Sequence, residues 1–412
     1  MANRFAVLRH IITEGQVTRP EITAATGLSL ATVATLVSEL LELGMLAEVG
    51  QQESAGGRPR TVLAVRPRRG VLVGVDVTET YVHVELFDLN LGVLARAHRV
   101  LAPSQSRVEQ VLEHVVSAVE EGIARCEVER DTVLGVGVSV PGQVDREGGV
   151  TVYAANWDWA DVPMRDLISQ RIRLPVYLDN PAKASTVAEL WFGASRGYDD
   201  VAVLTLATGV GAGLAVGGSL YRGADNGAGE WGHTTLVLDG RPCRCGSRGC
   251  VETYVGAPGI LQHIRELAPD SGLLQGSHAN GNGTPAKRTP GNGTPAKSTG
   301  DQTATVAALA EALAAQDPRA GEVAAVTARH LGVAIANLVN LVNPQLVVLS
   351  GWVANRLGRY LLDEVCAVVA REALPGPHAA TRIALCPIEN PVTLGAATFA
   401  LEGFLGNVRD WG

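Results

Sequence analysis

Between Glu230 and Glu252 the chain reads EWGHTTLVLDGRPCRCGSRGCVE, which gathers one histidine, three cysteines and two glutamates into one short segment. His233, Cys243, Cys245 and Cys250 supply the four soft or borderline ligands that a tetrahedral structural zinc needs, and the C-x-C-G-x-x-G-C spacing bends the thiols around one small loop. A disulfide or a set of reduced thiols is the alternative. Three thiols beside a histidine, in a chain whose first ten residues show no signal-peptide apolar region, favour zinc. A loop held in this way fixes the direction of Glu230 and Glu252 at its two ends.

At 412 residues the chain is too long for one core and suggests two or three domains. Hydrophobic residues make up 46% of it, as expected of a globular protein. Net charge is -8, yet residues 1–70 hold 8 Lys and Arg against 6 Asp and Glu, while the remainder holds 26 against 36. The mild basicity is thus confined to the N-terminus. No apolar run approaches the roughly 20 residues that cross a bilayer, so a cytoplasmic protein without a membrane partner is expected. Cys126, Cys366 and Cys386 stand alone in apolar or helical contexts and read as buried, inert thiols.

Residues 18–44 contain two helix starts separated by one tight turn. Thr18 and Glu21 form a capping-box pattern with Pro20 in the first turn, Gly27 makes the turn and Ser29 caps a second helix. Val33, Leu36, Val37, Leu40 and Leu41 recur at helical spacing and face inward. The opposite face carries Ser29, Thr32 and Thr35, small hydroxyl residues able to approach DNA bases or phosphates. Two strands, Met45–Val49 and Thr61–Val65, flank a Gly-Gly-Arg-Pro-Arg tip whose Arg58 and Arg60 suit a narrow minor groove. A pair of assembly helices followed by a solvated basic linker is the plainer alternative.

From Val71 the pattern becomes strand, strand, helix (about 107–126) and strand. A second such round starts at Val201 and runs through Ala-rich helices to strands at 346–351 and 382–387. Residues 268–302, with a near-repeated G-N-G-T-P-A-K, have no apolar face to bury and read as a disordered insertion.

The 230–252 segment, together with Val17–Pro67 and its G-R-P tip, resembles the ROK family of sugar kinases and sugar-responsive repressors, and the likeness spans nearly the whole chain outside 268–302. It implies an α/β protein: a winged helix-turn-helix DNA-binding domain over 1–68, then an actin-like ATPase fold of two RNase H-like subdomains. The first covers 71–190 and is completed by a C-terminal helix at 394–410; the second covers 191–393 and carries the zinc loop. The resemblance makes one zinc per chain structural and turns Glu230, His233 and Glu252 toward a sugar's hydroxyls. It adds Asn180, and Gly142 and Gln143 of the P-G-Q-V-D turn, to the sugar wall. Asn156 lies where the family lets a loop touch the sugar. Trp157 and Trp159 either stack on a pyranose face or serve as buried structural residues.

Kinases of this family carry D-x-G-G-T-K after the first strand, whereas this chain has Asp76, Val77, Thr78, Glu79, Thr80 and Tyr81. Both glycines that let backbone amides reach a nucleotide are gone, and Glu79 repels phosphate. The second phosphate loop, Ala207 to Gly211, is only partly kept. Where the family places its catalytic aspartate this chain has Pro181, and losing a general base costs about 10² to 10⁴ in rate; a shifted register would recruit Asp179 instead. The expectation is therefore no enzyme and no catalytic residue. The chain reads as a sugar-sensing repressor that binds an inverted-repeat DNA operator as a homodimer or a tetramer. A DNA-binding sugar kinase and a regulator with a vestigial cleft are the competing readings.

Overall fold

A computed structural model of the chain describes residues 2–53, 59–102, 105–154, 157–274 and 299–407. Arg58, Asn156, residues 275–298 of the expected insertion and 408–410 of the expected C-terminal helix lie outside the described residues. The N-terminal unit runs α1 (Ala2–Glu14), β1 (Gln16–Thr18), α2 (Arg19–Thr26), α3 (Leu30–Glu42), β2 (Leu46–Gln52) and β3 (Arg60–Val65). Its element boundaries follow from local chemistry. Glu21 accepts the Thr18 amide at 2.6 Å and its hydroxyl at 2.9 Å, which satisfies a donor that a helix start would otherwise orphan. Gly27 takes φ +67° and ends α2, and the Ser29 hydroxyl accepts the Thr32 amide at 3.1 Å to start α3. The two helices meet at 117°. β3 is the central strand of an antiparallel sheet between β1 and β2. α1 and β1 have no counterpart in the sequence reading; α1 is recognisable only through Val7, Leu8, Ile11 and Ile12, all buried.

The body holds two sheets built alike. In the first, β4 (Val71–Val77), β5 (Tyr81–Phe87) and β6 (Val93–Val100) form an antiparallel meander; α4 (Val108–Cys126) then crosses to β7 (Val133–Ser139). A small antiparallel sheet follows, β8 (Gln143–Asp145), β9 (Val150–Ala154) and β10 (Trp159–Val162), with α5 (Met164–Ile172), β11 (Val176–Asp179) and α6 (Pro181–Phe192). Sheet order is β11-β7-β4-β5-β6, with the first two pairs parallel. The second sheet repeats it. β12 (Val201–Leu206), β13 (Val210–Val216) and β14 (Ser219–Tyr221) are antiparallel. Four helices come next: α7 (Glu252–Val255), α8 (Ala257–Leu267), α9 (Thr299–Ala314) and α10 (Pro318–Val342). β15 (Leu346–Ser350), α11 (Trp352–Glu372), α12 (Pro375–Ala380), β16 (Arg382–Leu385) and α13 (Pro391–Asn407) complete the order β14-β13-β12-β15-β16. α9 begins inside the stretch read as insertion, at Thr299. Against the expectation from composition, α10 is long and apolar enough to cross a bilayer, but Val323, Leu331, Ile335 and Val339 lie in the core of the second unit.

The last helix of each half is seated on the other half's sheet: α13 lies on β4, β7 and β11, while α6 lies on β12 and β13 and against α13. A Cβ at Gly74 would stand 1.9 Å from the Thr393 carbonyl oxygen, and one at Gly137 1.7 Å from that of Ala396. Bare backbone at these strand positions therefore lets α13 touch the sheet. One apolar cluster then joins the N-terminal unit to the body, from Val7, Leu8 and Ile11 through Trp191 to Ala397, Leu401 and Leu405. Phe5 meets Trp191 at 5.2 Å between ring centroids, Arg4 bridges Glu39 at 2.6 Å and the Leu405 carbonyl at 2.9 Å, and Arg196 pairs with Glu14 at 2.7 Å.

Gly137→Ala forces α13 off the sheet and should destabilise the protein by at least about 1–3 kcal/mol, the usual range for overpacking. Gly376→Ala, with nothing within 4 Å of the new methyl group, should stay within roughly 0.5 kcal/mol. Urea denaturation of the two variants checks both.

Candidate functional site: a cleft between the two sheets

The parallel strands of both sheets end at the same gap, where ligands settle in open α/β sheets. Asp76, Ser139 and Asp179 are register neighbours at the ends of β4, β7 and β11, and Thr205 pairs with Ser350 at the ends of β12 and β15. A cavity of about 420 Å³ opens here. Of the expected sugar-facing residues, Gly142, Gln143, Asn180, Glu230, His233 and Glu252 all line it.

Each is positioned by its own local device. Gly142 sits at φ +92°, where an added Cβ would lie 2.2 Å from the Tyr153 carbonyl oxygen, so the turn into β8 requires glycine. Asn180 is the N-cap of α6; its Oδ1 accepts the Lys183 amide at 3.0 Å. Pro181 occupies the first turn of that helix, where a missing amide costs nothing and a fixed φ is already helical. Glu252 opens α7, and its Oε2 accepts the Val210 amide at 3.0 Å. A shifted register does not recover a base. Asp179 is fully buried and paired with Arg222, accepts from Asn226 at 3.1 Å and from the Asn180 amide at 2.9 Å, and is not among the residues lining the cavity.

Asp76 stays at the cavity floor. Burial pushes its carboxyl up to about 6, against the Tyr81 hydroxyl at 3.2 Å and the nearby His83. Trp157 and Trp159 belong to the first core: their rings stand 4.4 Å apart, both are buried, and Trp159 Nε1 donates to the Ser106 carbonyl at 2.9 Å. Of the two alternatives for this pair the structural one is therefore realised. Cys126, Cys366 and Cys386 are free but only half-buried, less enclosed than expected; Cys126 and Cys386 pack at the margins of apolar clusters.

His233, Cys243, Cys245 and Cys250 bring one ligand atom each within 4.8 Å of all the others. Cys243 Sγ lies 3.6 Å from His233 Nδ1, and Cys245 Sγ lies 3.7 Å from Cys250 Sγ. A tetrahedron of sulfurs about 2.3 Å from a metal has edges of roughly 3.8 Å, so the set fits a thiophilic divalent ion. A disulfide would need about 2.05 Å. Burial pushes the Cys243 and Cys250 thiols above the ordinary thiol range, and a cation bound among them would let them ionise. The loop is stapled from behind by Arg241, which donates to the Thr253 carbonyl at 3.0 Å, pairs with Glu266 at 2.6 Å and lies 4.8 Å over the Tyr254 ring. His263 and His330 stack beside it.

In the N-terminal unit, Ser29, Thr32, Thr35 and Arg60 are not buried; the Ser29 and Thr32 hydroxyls bond each other at 2.8 Å and Thr35 donates to the Ala31 carbonyl at 3.1 Å. Sequence reasoning missed Arg244, which lines the cavity and stands between Cys243 and Cys245 in the chain. Its position inside C-R-C-G was the available signal. Arg222 and Asn226, which lock Asp179, had none.

Two like-built α/β units closing on a cleft, with a Cys/His loop in one wall, define a sugar-kinase-type fold carrying an added N-terminal unit. Residues 72–402 match the model of the ROK family, and the chain belongs to that family. It is 29% identical to the putative xylose repressor of Caldicellulosiruptor sp. strain Rt8B.4, over 98% of this chain and 96% of that one. It is 26% identical to the N-acetylglucosamine repressor of Escherichia coli O157:H7, over 98% and 94%. Among solved structures, a ROK family transcriptional regulator described as a homologue of the E. coli MLC protein superposes with a TM-score of 0.75 at 23% identity, covering 98% of this chain and 96% of its own.

Two outcomes are expected. Purified protein should carry close to one equivalent of a divalent metal by elemental analysis, and Cys245→Ser should lose both the metal and thermal stability. A carboxyl whose folded value is raised from about 3.8 to about 6 contributes no penalty below the unfolded value, a growing one between the two values, and a constant one above the folded value. Asp76→Asn should therefore be more stable than wild type at pH 7–8, by up to about 3 kcal/mol, with the gap closing between pH 6 and 4 in urea titrations.

Proposed function

We propose that this protein is a cytoplasmic, sugar-responsive transcriptional regulator, most simply a repressor, whose cleft binds a monosaccharide and performs no phosphoryl transfer. One observation carries this reading: the cavity keeps Asn180, Glu230, His233 and Glu252, while the position of the base is a proline that suits the first turn of α6. Carboxylates and imidazole accept and donate to vicinal hydroxyls; proline moves no proton. Asp179, the other carboxylate within reach in sequence, is consumed by Arg222. This argues against the bifunctional-kinase reading.

In this account residues 1–68 are a winged helix-turn-helix domain. The 117° between α2 and α3 lies within the roughly 90–120° of helix-turn-helix pairs, and the β2–β3 hairpin is the wing. Ser29, Thr32 and Thr35 face the major groove, with Arg58 and Arg60 at the minor groove of an inverted-repeat operator that a homodimer, or a tetramer built from two, spans. Residues 71–190 and 191–393, with 394–410 returning to the first, are the two sugar-binding subdomains. His233, Cys243, Cys245 and Cys250 hold one structural zinc, which fixes the direction of the imidazole.

The packing supplies a route between ligand and DNA. Asn180 caps one end of α6 at the cleft, and Trp191 at the other end meets Phe5 of α1. A helix of 12 residues spans about 18 Å, so a tilt imposed at Asn180 reaches the DNA-binding unit through rigid contacts.

Operator affinity, measured by fluorescence anisotropy, should change about 5- to 150-fold on titration with D-xylose or N-acetyl-D-glucosamine from micromolar to ten-millimolar. The same factor should appear in sugar affinity when operator is present. Phe5→Ala should shrink that factor while isothermal titration still detects the sugar. If neither these nor other common aldoses shift operator affinity, the cleft is vestigial and the sensing role fails.

A further inference from the structure

Arg244 stands between the two walls of the cleft and is held by a carboxylate from each. Its Nη1 lies 3.1 Å and 3.4 Å from the two oxygens of Glu79, in the turn between β4 and β5. Its Nε lies 3.6 Å from Glu252 Oε1, and its Nη2 reaches the Thr208 carbonyl at 3.4 Å. All four residues line the cavity. The Glu79 and Glu252 side chains are only 13% and 9% exposed, the Arg244 side chain 30%, so this is no freely solvated surface pair and the effective dielectric is below that of water. Burial works against the guanidinium charge, but the two carboxylates outweigh it and hold it more firmly protonated than an ordinary arginine.

Glu252 has one oxygen to spare for this contact. Oε2 is committed to the Val210 amide, while Oε1 faces Arg244 and the cavity and also meets the Cys243 Sγ at 3.9 Å. A hydroxyl that donates to Oε1 therefore draws on the same charge that holds Arg244.

We propose that Arg244 is a cross-cleft positioning residue: it ties Glu252 on the metal-loop wall to Glu79 on the opposite wall, holds the cleft closed, and relays the occupancy of Glu252 to the β4–β5 turn. This rests on the reading of the cleft as a sugar site and names how occupancy crosses it. Glu79, which looks like simple damage to a phosphate loop, is thereby the counter-charge of the latch. Glu252 serves the ligand and the latch at once, so closure and binding are linked: the sugar meets residues from both walls, Gln143 on one and Glu230, His233 and Glu252 on the other, only when the walls are held together.

The test is hydrogen-exchange mass spectrometry on full-length, metal-loaded protein, following peptides that span residues 76–81 and 205–211, for wild type, Glu79→Gln, Arg244→Gln and the double variant. Without ligand, each single change should speed exchange in both peptides about fivefold, and the double should be no faster than Arg244→Gln, because both remove one interaction. With D-xylose or N-acetyl-D-glucosamine bound, wild type should change its exchange at 76–81 and Arg244→Gln should not. Both single variants should bind the sugar more weakly by a similar factor in isothermal titration. Elemental analysis separates a lost latch from a lost metal; should Arg244→Gln lose metal, Glu79→Gln decides alone. Unchanged exchange in Glu79→Gln, or effects that multiply in the double variant, would overturn the proposal. Failure of wild type to bind any sugar defeats the sensing role instead and leaves the ligand-free exchange to judge the latch.

Discussion

The arrangement of the whole molecule depends on one contact, the seating of α13 on the sheet that begins the body. Because Gly74 and Gly137 present bare backbone, the end of the chain lies directly on β4 and β7, between the N-terminal unit and α6. That contact ties together the two halves of the cleft, the N-terminal unit and α6. The same exchange places α6 on the second sheet, so the cleft is crossed by packed helices and not by loops alone. Close-packed interiors deform little, which makes such an arrangement suited to passing on small rotations.

The cleft keeps the expected polar wall of Asn180, Glu230, His233 and Glu252 while a proline follows Asn180 at the start of α6. Pro181 is not a defect in the local fold. It stabilises the start of α6, and Asn180 can cap that helix while still lining the cavity. Asp76 persists at the floor, its carboxyl pushed up by burial and steadied by Tyr81, without a partner for its Oδ1 among the described residues. Arg244 and Glu79 fill the mouth with an internal ion pair where an enzyme would need room for an anion.

The metal-ready loop and the aromatic and histidine stack behind it form a second rigid support. Arg241 anchors the loop to the backbone of α7 and α8, and the Tyr254, His263 and His330 rings close the gap to α10. Glu230, His233 and Glu252 thus project from a wall fixed at both faces, which keeps their hydrogen-bonding directions constant when the opposite wall moves.

Much of this was legible in the residues alone, for a physical reason: metal ligation, helix capping and tight turns are short-range chemistry written in contiguous sequence. The Cys/His spacing, the Thr18/Glu21 and Ser29 caps, the glycine of the P-G-Q-V-D turn and the absence of a base at Pro181 can each be read within a few residues. The unremarkable α1 and the role of Trp157 and Trp159 could not, because their burial is set by partners far along the chain; nor could the edge strand β6, which is mostly exposed and has little apolar alternation to read. Nor could the fate of Asp179, which Arg222 and Asn226 decide from the other wall, or the pairing of Glu79 with Arg244 across 165 positions of sequence. Local sequence determined which groups are present and how each is aimed from its own turn. Only the tertiary structure decided which charges meet, because ion pairs, core contacts and the line from Asn180 through Trp191 to Phe5 depend on distances that no local pattern encodes.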